Sequence, residues 1–506
     1  MSTDVDTIGN GAESANAVAR LDRVLRYALP LLLLIFASDL LDGVVRGPQW
    51  MWNESRLASA FSLAYGYSLY PGEHALGPVI GTLHAPVGYL VYAGLAFLKD
   101  PLAALLAGCA VTVLLYFAPL FWLHMHAGQG TLLTRVYGFL ACAAVVVASP
   151  GTNYSALNIH VDVTAIAAAV LAAGILATAR APLATGMLAC SAVLGVLSVA
   201  AKQTMAPVPV ALACFMLAAE GPRRFLRFVL LQLVSGVLIG AAVLVAFRPT
   251  EDLLFNTYTW AVHLHRPADT SRLLLAGLYA ERVTLAAVVP VLVVLLAGVL
   301  FAGAGSVRAR LNANRWLVFL FAAMLQVPVA LRAWTTPGAD VNHLGVVTLF
   351  VTLAATTGLI MEQPIPVLVQ RALLLGIIIA SLSFPWQLAR GLAELPNTPA
   401  EVAFRYERQH RGRVYFPLNP LAVLLAEGKL THYDVALFDR ERGGYPVSPA
   451  LLASGMPPHY QLIAWPPNDD PPPSVALARV LQSMQPVREP GLEGWHVFGP
   501  AGGAAR

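Results

Sequence analysis

Three polar stretches of this chain carry side chains that could do chemistry: Asn53-Glu54-Ser55-Arg56, Asn158-Ile-His160-Val-Asp162 and Lys202-Gln-Thr204. Each lies at the edge of a long apolar run, where an ionisable group is costly to hold near hydrocarbon and is a functional candidate by default. A carboxylate in such a place can take a proton as a general base, and a lysine or arginine beside it can neutralise a phosphate. Each also has a structural reading. Glu54 begins a helix-like segment with Leu57, Ala60, Phe61 and Ala64 on one face, and a helix start favours an acid, with Arg56 as its exposed partner. Asp162 can cap the free amides of a helix start. His160 and Asp162, two residues apart, fall on different sides of a helix and make a poor metal pair. Lys202 can snorkel to headgroups instead.

Secondary candidates lie nearby. Asp39 and Asp42 close the first apolar run, and a buried Asp39 needs a partner. The 248–282 segment interleaves Arg248, His263, His265, Arg266 and Arg272 with Phe255, Tyr258 and Trp260, a mixture suited to lipid headgroups. After the turn signal Thr336-Pro337-Gly338, Asp340-Val-Asn342-His343 opens another apolar run, with Asp340 as either helix cap or site residue. No phosphate-cradling Gly-x-x-x-x-Gly-Lys motif, nucleophile elbow or zinc-spaced Cys/His cluster is found, and no metal is expected. The four cysteines all fall inside apolar runs and read as small buried hydrophobes.

The elements that must position these residues are membrane helices. The 506 residues are 57% hydrophobic and 12% charged, about half the charge of an ordinary soluble protein. Net charge is +4, with no basic stripe for nucleic acid. Twelve apolar runs are visible between 24 and 389. Arg20, Arg23 and Arg26 precede the first and place the N-terminus inside. If the short run 82–98 does not span, the basic loops around Arg135, Arg180, Arg223, Arg308 and Arg371 all fall inside as well. It therefore reads as an apolar helix lying at the outer interface. The expected fold is an all-α polytopic membrane protein of about eleven transmembrane helices, spanning 24–390. Residues 1–23 are expected to form a disordered cytoplasmic tail, 44–100 a first outer loop with interfacial helices, and 248–282 a large outer loop. The same choice brings Glu54, Asp162, Lys202 and Asp340 to one outer face. Residues 391–506 lose apolar density and gain proline clusters. Strands near 414–417, 461–464 and 495–498 and helices near 419–427 and 474–484 predict a small α/β C-terminal domain outside the membrane.

At this point the residues resemble a known superfamily. Trp52-Asn-Glu-Ser-Arg56, the Ala-rich helix after it and Gly66-x-x-Leu-Tyr70 are similar to the first outer loop of GT-C glycosyltransferases. The likeness is greatest to family 39, the protein O-mannosyltransferases and lipid A aminoarabinose transferases. His84-Ala-Pro86 with Tyr89 resembles that family's proline-containing interfacial helix. Asp162 matches its Asp at the outer start of the fourth span, Lys202 its Lys at the outer end of the fifth. Gly338-Ala-Asp340-x-Asn342-His343 is similar to a motif of bacterial members. One position departs: the family's catalytic Asp falls on Asn53, which cannot act as a base.

The resemblance implies an inverting transfer of a sugar from a polyprenyl-phosphate donor to an envelope acceptor on the outer face of a bacterial inner membrane, with no cofactor. Glu54 is then the expected base, with Asp39, Asp42 or Asp162 next in line. Lys202 and Arg56 would meet the lipid phosphate, backed by Arg266 and Arg272. Asn53, Tyr70, His84, His160, Asp340, Asn342 and His343 would line the substrate site. Rival readings are a transporter or flippase of lipid-linked glycans and an inactive envelope-assembly protein on the same scaffold. The polar residues gather at one face, and no internal repeat of the transporter kind is seen.

Overall fold

The computed structural model describes residues 5–128, 130–179, 183–264, 270–301, 305–336, 341–361, 365–467 and 473–500. Its first helix, α1, runs from Val5 to Arg46. It therefore reaches back into the stretch whose composition suggested a disordered tail; the alanines at 12, 15, 17 and 19 are strong helix formers. The helices that follow are α2 (Met51–Ser62), α3 (Val87–Ala93), α4 (Pro101–His126), α5 (Leu132–Ala148), α6 (Pro150–Leu157), α7 (Asp162–Thr178), α8 (Thr185–Ala201), α9 (Pro207–Glu220) and α10 (Pro222–Ala246). The 248–282 segment holds α11 (Thr250–Leu254), α12 (Ala261–Leu264) and α13 (Thr270–Ala280), with a π-helical turn over Phe255–Trp260. The bundle resumes with α14 (Arg282–Ala287), α15 (Val289–Phe301), α16 (Val307–Ala313), α17 (Leu317–Trp334), α18 (Asn342–Ile360) and α19 (Val367–Ala380).

Among the described residues six helices are long and apolar enough to cross a membrane, and the bent pair α5–α6 makes seven. Five shorter apolar helices accompany them: Val87–Phe97, α7, α8, α15 and α19. The 11-residue Val87–Phe97 segment is about 16 Å long, roughly half a hydrocarbon core of about 30 Å. It packs across α2, α7 and α8. Gly88 permits that approach: a Cβ there would lie 2.6 Å from Val161 Cβ and 2.9 Å from the Ala201 carbonyl.

Two prolines shape the end of the bundle where the polar residues collect, which also carries the C-terminal domain and is called the outer end below after the topology expected from loop charge. Pro150 bars a helical conformation at Ser149, which is extended (φ −87°, ψ 120°), so the chain turns by 97° between α5 and α6. Helix α6 then lies across the outer end and carries Tyr154 and Ser155 toward α7. Pro86 similarly starts α3. The opposite end is tied by Arg315, whose Nη1 meets Glu220 Oε1 at 2.8 Å while its Nε donates to the Leu176 carbonyl at 2.7 Å.

The C-terminal part contains α20 (Leu388–Glu394), α21 (Pro399–Gln409), α22 (Pro420–Glu427), α23 (Asp434–Arg442), α24 (Pro449–Ser454) and α25 (Val475–Leu481) around a four-stranded sheet. The strands are β1 (Val414–Tyr415), β2 (Leu462–Trp465), β3 (Met484–Pro486) and β4 (His496–Pro500), in the order β1-β2-β4-β3. β1 and β2 are parallel and the other pairs antiparallel. One apolar core of this domain includes Tyr415, Ile463 and Leu477 together with Val79 of the first outer loop and Phe255 and Trp260 of the 248–282 segment. The domain thus folds onto both loops.

Candidate active site

The site is built around Asp162, the first residue of α7 and fully buried. Its Oδ2 accepts from the Asn342 side-chain amide at 2.9 Å and the Ser155 hydroxyl at 3.1 Å. Lys202 Nζ, at the end of α8, lies 2.5 Å from Oδ1 and is itself 2% exposed. Four separate helices, α6, α7, α8 and α18, therefore converge on one carboxylate. His160 Nδ1 faces both Oδ1 (2.8 Å) and the Asp162 amide nitrogen (3.1 Å). A single ring nitrogen cannot accept from the amide and donate to the carboxylate at once. Burial, and then the Arg56 charge, push the His160 imidazole down to about 4, so the ring is neutral at pH 7. Nδ1 then accepts from the amide, Nε2 carries the proton, and Oδ1 is left to Lys202.

Arg56 forms the next layer. Its guanidinium donates to the Ile159 carbonyl (2.9 Å) and the Tyr154 hydroxyl (2.8 Å). Trp50, Trp52 and Tyr154 surround it, with ring centroids 5.4, 5.7 and 5.5 Å from Cζ. Such a cage fixes the fork without neutralising it. The Tyr154 ring lies 5.5 Å from that of His160, so Arg56 and Lys202 flank the same imidazole. Two cations against one acid leave this buried centre net positive.

The first outer loop roofs the centre. His84 is half-buried, 6.2 Å ring to ring from His160, and its Nδ1 has no partner among the described residues. The Tyr70 hydroxyl donates to the His84 carbonyl at 2.7 Å. Gln203 pins the roof: its side-chain amide donates to the Leu83 carbonyl (2.8 Å) and the Thr257 carbonyl (3.1 Å) and accepts from the Ala85 amide (3.3 Å).

The remaining carboxylates lie elsewhere. Glu54 is 2% exposed and faces the C-terminal domain. Oε2 accepts from the Asn419 side chain at 2.7 Å and Oε1 from the Ala422 backbone at 3.1 Å, at the start of α22. Pro420 at the first turn of α22 leaves few free amides there, and Glu54 takes one of them. Asn53 Nδ2 donates to the Gly47 carbonyl (2.8 Å) and to Asn158 Oδ1 (3.2 Å). Asp39 accepts from Ser383 (2.8 Å), between α1 and the chain after α19, and Asp42 pairs with Arg46 at 2.8 Å. His343 is half-buried in the first turn of α18 beside Asn342. Arg266 and Asp340 lie outside the described residues, as does the side chain of Arg272.

The structure thus brings Asp162, Lys202, His160, Asn342, Arg56, His84 and Tyr70 together, while Glu54 meets the C-terminal domain, Asp39 meets Ser383 and Asp42 meets Arg46. Tyr154, Ser155 and Gln203 complete the arrangement without having been expected as site residues, and Asn419 likewise emerges as a partner of Glu54. The break at Pro150 was the available signal for Tyr154 and Ser155. Beside Tyr154, a cleft of about 400 Å³ is lined by Arg46, Trp50, Asn153 and Asn158 together with Pro150 and Leu157.

No protein-family model matches the sequence, and no curated protein matches it. Among solved structures the chain is similar to the crystal structure of ArnT from Cupriavidus metallidurans bound to undecaprenyl phosphate. The TM-score is 0.58 at 12% identity, over 94% of this chain and 98% of that one. The likeness extends through membrane bundle and C-terminal domain alike, and gives the chain the GT-C fold.

Proposed function

We propose that this protein is an inverting membrane glycosyltransferase that takes a sugar from a polyprenyl-phosphate donor and places it on a hydroxyl of an envelope acceptor at the outer face. The observation that carries this reading is the buried Asp162–Lys202 pair with Arg56 beside it, on a fold shared with a protein whose crystal structure contains undecaprenyl phosphate. In the same reading α1, α4, α5, α7, α8, α9, α10, α14–α15, α17, α18 and α19 are the eleven spans, with the N-terminus cytoplasmic and the C-terminal domain extracytoplasmic.

Lys202 and Arg56 would bind the donor phosphate. Because Lys202 is the cation nearest Asp162, its turn toward phosphate releases the carboxylate. Asp162 then accepts the proton of the acceptor hydroxyl as that oxygen bonds to the anomeric carbon, and the lipid phosphate leaves with the electron pair of the old C–O bond. The two cations stabilise the charge that grows on the leaving phosphate. His160 and Asn342 would hold Asp162 in place, and His84 and Tyr70 would keep water out from above. Glu54 acts as a positioning residue that seats the C-terminal domain over the loop carrying Arg56.

The test is mass spectrometry of envelope glycans and lipids from a deletion strain complemented with wild type, Asp162→Asn or Glu54→Gln. One missing sugar substituent, restored by wild type and by Glu54→Gln but not by Asp162→Asn, is the expected pattern. An unchanged glycan and lipid profile in the deletion strain would remove the transferase reading.

A further inference from the structure

A buried carboxylate that the chemistry above does not use, Glu281, joins α13 to α14 and is 8% exposed. Its Oε2 accepts from the Thr284 hydroxyl at 3.4 Å. The Thr348 hydroxyl of α18 and the Gly151 backbone N–H of α6 donate to the same carboxyl. Arg282, the next residue, turns instead to the Tyr279 carbonyl (3.0 Å) and ring. These three donors are neutral, and they come from three helices.

Helix α6 has particular need of such a partner. Its eight residues are too few to hold a helix by their own hydrogen bonds, since isolated helices below about 12–15 residues are marginal. It starts from the 97° break at Pro150, so α5 does not fix its direction. Its first amides need acceptors from outside the helix. The Ser149 side chain at the N-cap does not supply one, because its hydroxyl exchanges a hydrogen bond with Thr284 at 2.8 Å. Glu281 provides the acceptor from another helix. The fit is close: a Cβ on Gly151 would lie 2.6 Å from Glu281 Oε1 and 2.7 Å from the Val341 carbonyl.

Ser155 lies one turn on from Gly151, on the same face of α6, and its hydroxyl donates to Asp162 at 3.1 Å. Two buried acids therefore hold this short helix at two points. Both also hold α18, Glu281 through Thr348 and Asp162 through Asn342. Tyr154 lies between the two points in sequence. Its hydroxyl accepts from Arg56 at 2.8 Å, and its ring stands 5.5 Å from the Arg56 Cζ. Any shift of α6 carries Tyr154, and with it one wall of the Arg56 cage.

We propose that Glu281 is a positioning residue for the phosphate-binding centre: it fixes α6 and, through Tyr154, the orientation of the Arg56 guanidinium. The link to phosphate rests on the donor reading given above; the hold on α6 does not.

The experiment takes two readouts from the full-length, detergent-solubilised protein. Hydrogen exchange with mass spectrometry follows peptides covering 150–157 and 420–427. Native mass spectrometry compares retention of undecaprenyl phosphate with that of uncharged undecaprenol. Glu281→Ala should speed exchange over 150–157 roughly tenfold and leave 420–427 unchanged, which shows the rest of the fold intact. Its preference for the phosphate over the alcohol should fall about fivefold, the worth of one net hydrogen bond. Glu281→Gln should match wild type in both readouts, because its amide oxygen can take the Gly151 N–H while a threonine hydroxyl turns to accept from its NH₂. Tyr154→Phe should cost the same preference, and adding Glu281→Ala to it should cost no more. Unchanged exchange over 150–157 in Glu281→Ala would overturn the hold on α6, and faster exchange at both peptides would reduce Glu281 to a general structural role. Faster exchange over 150–157 with an unchanged phosphate preference, or losses that add in the double variant, would overturn the link to Arg56. A wild type with no preference for the phosphate would count against the donor reading, and the exchange result then decides Glu281 alone.

Discussion

Glu54 and Asp162 are alike in every property the sequence displays. Both are acids in the first turn of a helix at the outer end, and both are almost wholly buried. Their partners separate them. The partners of Glu54 include two neutral donors from the C-terminal domain, an amide side chain and a backbone N–H. Asp162 is held by neutral donors on one oxygen and by a lysine ammonium on the other. Backbone donors in a packed interface have no other partner to go to. An ammonium on a flexible stem can be claimed by an arriving anion. In the mechanism proposed above, the fixed dipoles at Glu54 hold it in place, whereas Lys202 leaves Asp162 when a phosphate binds. Under the proposed function, the difference gives Glu54 a positioning role and Asp162 the chemical one.

The largest effect that tests this division is Asp162→Asn. Transfer should fall by about 10²–10³-fold, the scale of losing one group that acts on the transition state. Lys202 is then buried without its counter-ion, at a cost of about 3–5 kcal/mol, so lost activity alone could reflect lost fold. The double variant Asp162→Asn/Lys202→Met resolves this. Removing both charges should restore much of the thermal stability of the detergent-solubilised protein while transfer stays absent. Recovery of transfer along with stability would show that the pair is structural, and the contrast with Glu54 would vanish.

Glu54→Gln comes next, and its effect should be small. The Asn419 Oδ1 atom has no partner among the described residues. Rotation of the Asn419 amide by half a turn therefore offers an acceptor to the new Gln amide, while the Gln oxygen keeps the Ala422 N–H. Transfer should stay within about fivefold of wild type, the equivalent of one net hydrogen bond. Glu54→Ala cannot be repaired in this way. Losing hydrogen bonds to a charged group costs about 1.5–3 kcal/mol each, and limited proteolysis should then nick the junction near residue 390 faster than in wild type. Abolished transfer in Glu54→Gln with a protected junction would restore Glu54 as the base and reverse the comparison.

The sequence revealed more of the bundle than of the site. Apolar runs and loop charge located the helices, and the short run 82–98 emerged as the compact α3 pressed onto α7 and α8. Strands at 414–415, 462–465 and 496–500 and the helices at 420–427 and 475–481 fall close to where alternation and turn residues put them, while β3, α20, α21, α23 and α24 went unnoticed. Placing helix ends on one side predicted that Glu54, Asp162, Lys202 and Asp340 converge; Asp162 and Lys202 meet, Glu54 contacts the C-terminal domain, and Asp340 lies outside the described residues. What stayed hidden was long-range partnership. Nothing within a few residues of Glu54 indicates that its carboxylate meets Asn419, 365 positions away. Nor does the local pattern around Ser155 show that a 97° break turns its hydroxyl toward Asp162. Helix starts are visible in local sequence, but which distant donor satisfies them is decided by tertiary packing.

The smallest effect concerns Asn53, which stands where the resembling family keeps a catalytic Asp. If this centre were merely a damaged copy of that site, Asn53→Asp should repair it and raise transfer. The geometry argues otherwise. Asn53 Nδ2 points at two oxygen acceptors, the Gly47 carbonyl at 2.8 Å and Asn158 Oδ1 at 3.2 Å, and more weakly at Cys109 Sγ (3.9 Å). A carboxylate there would set like partial charges against each other in a fully buried position. The Asn158 amide can rotate to offer its NH₂, but it would give up its bond to the Tyr154 carbonyl, and the Gly47 carbonyl cannot turn. The expected cost is about 1–3 kcal/mol, that of a buried group left without its partner, with transfer unchanged or slightly reduced. A thermal melt beside the glycan assay measures both. Increased transfer in Asn53→Asp would mean that the first outer loop, and not Asp162, is where this fold keeps its base.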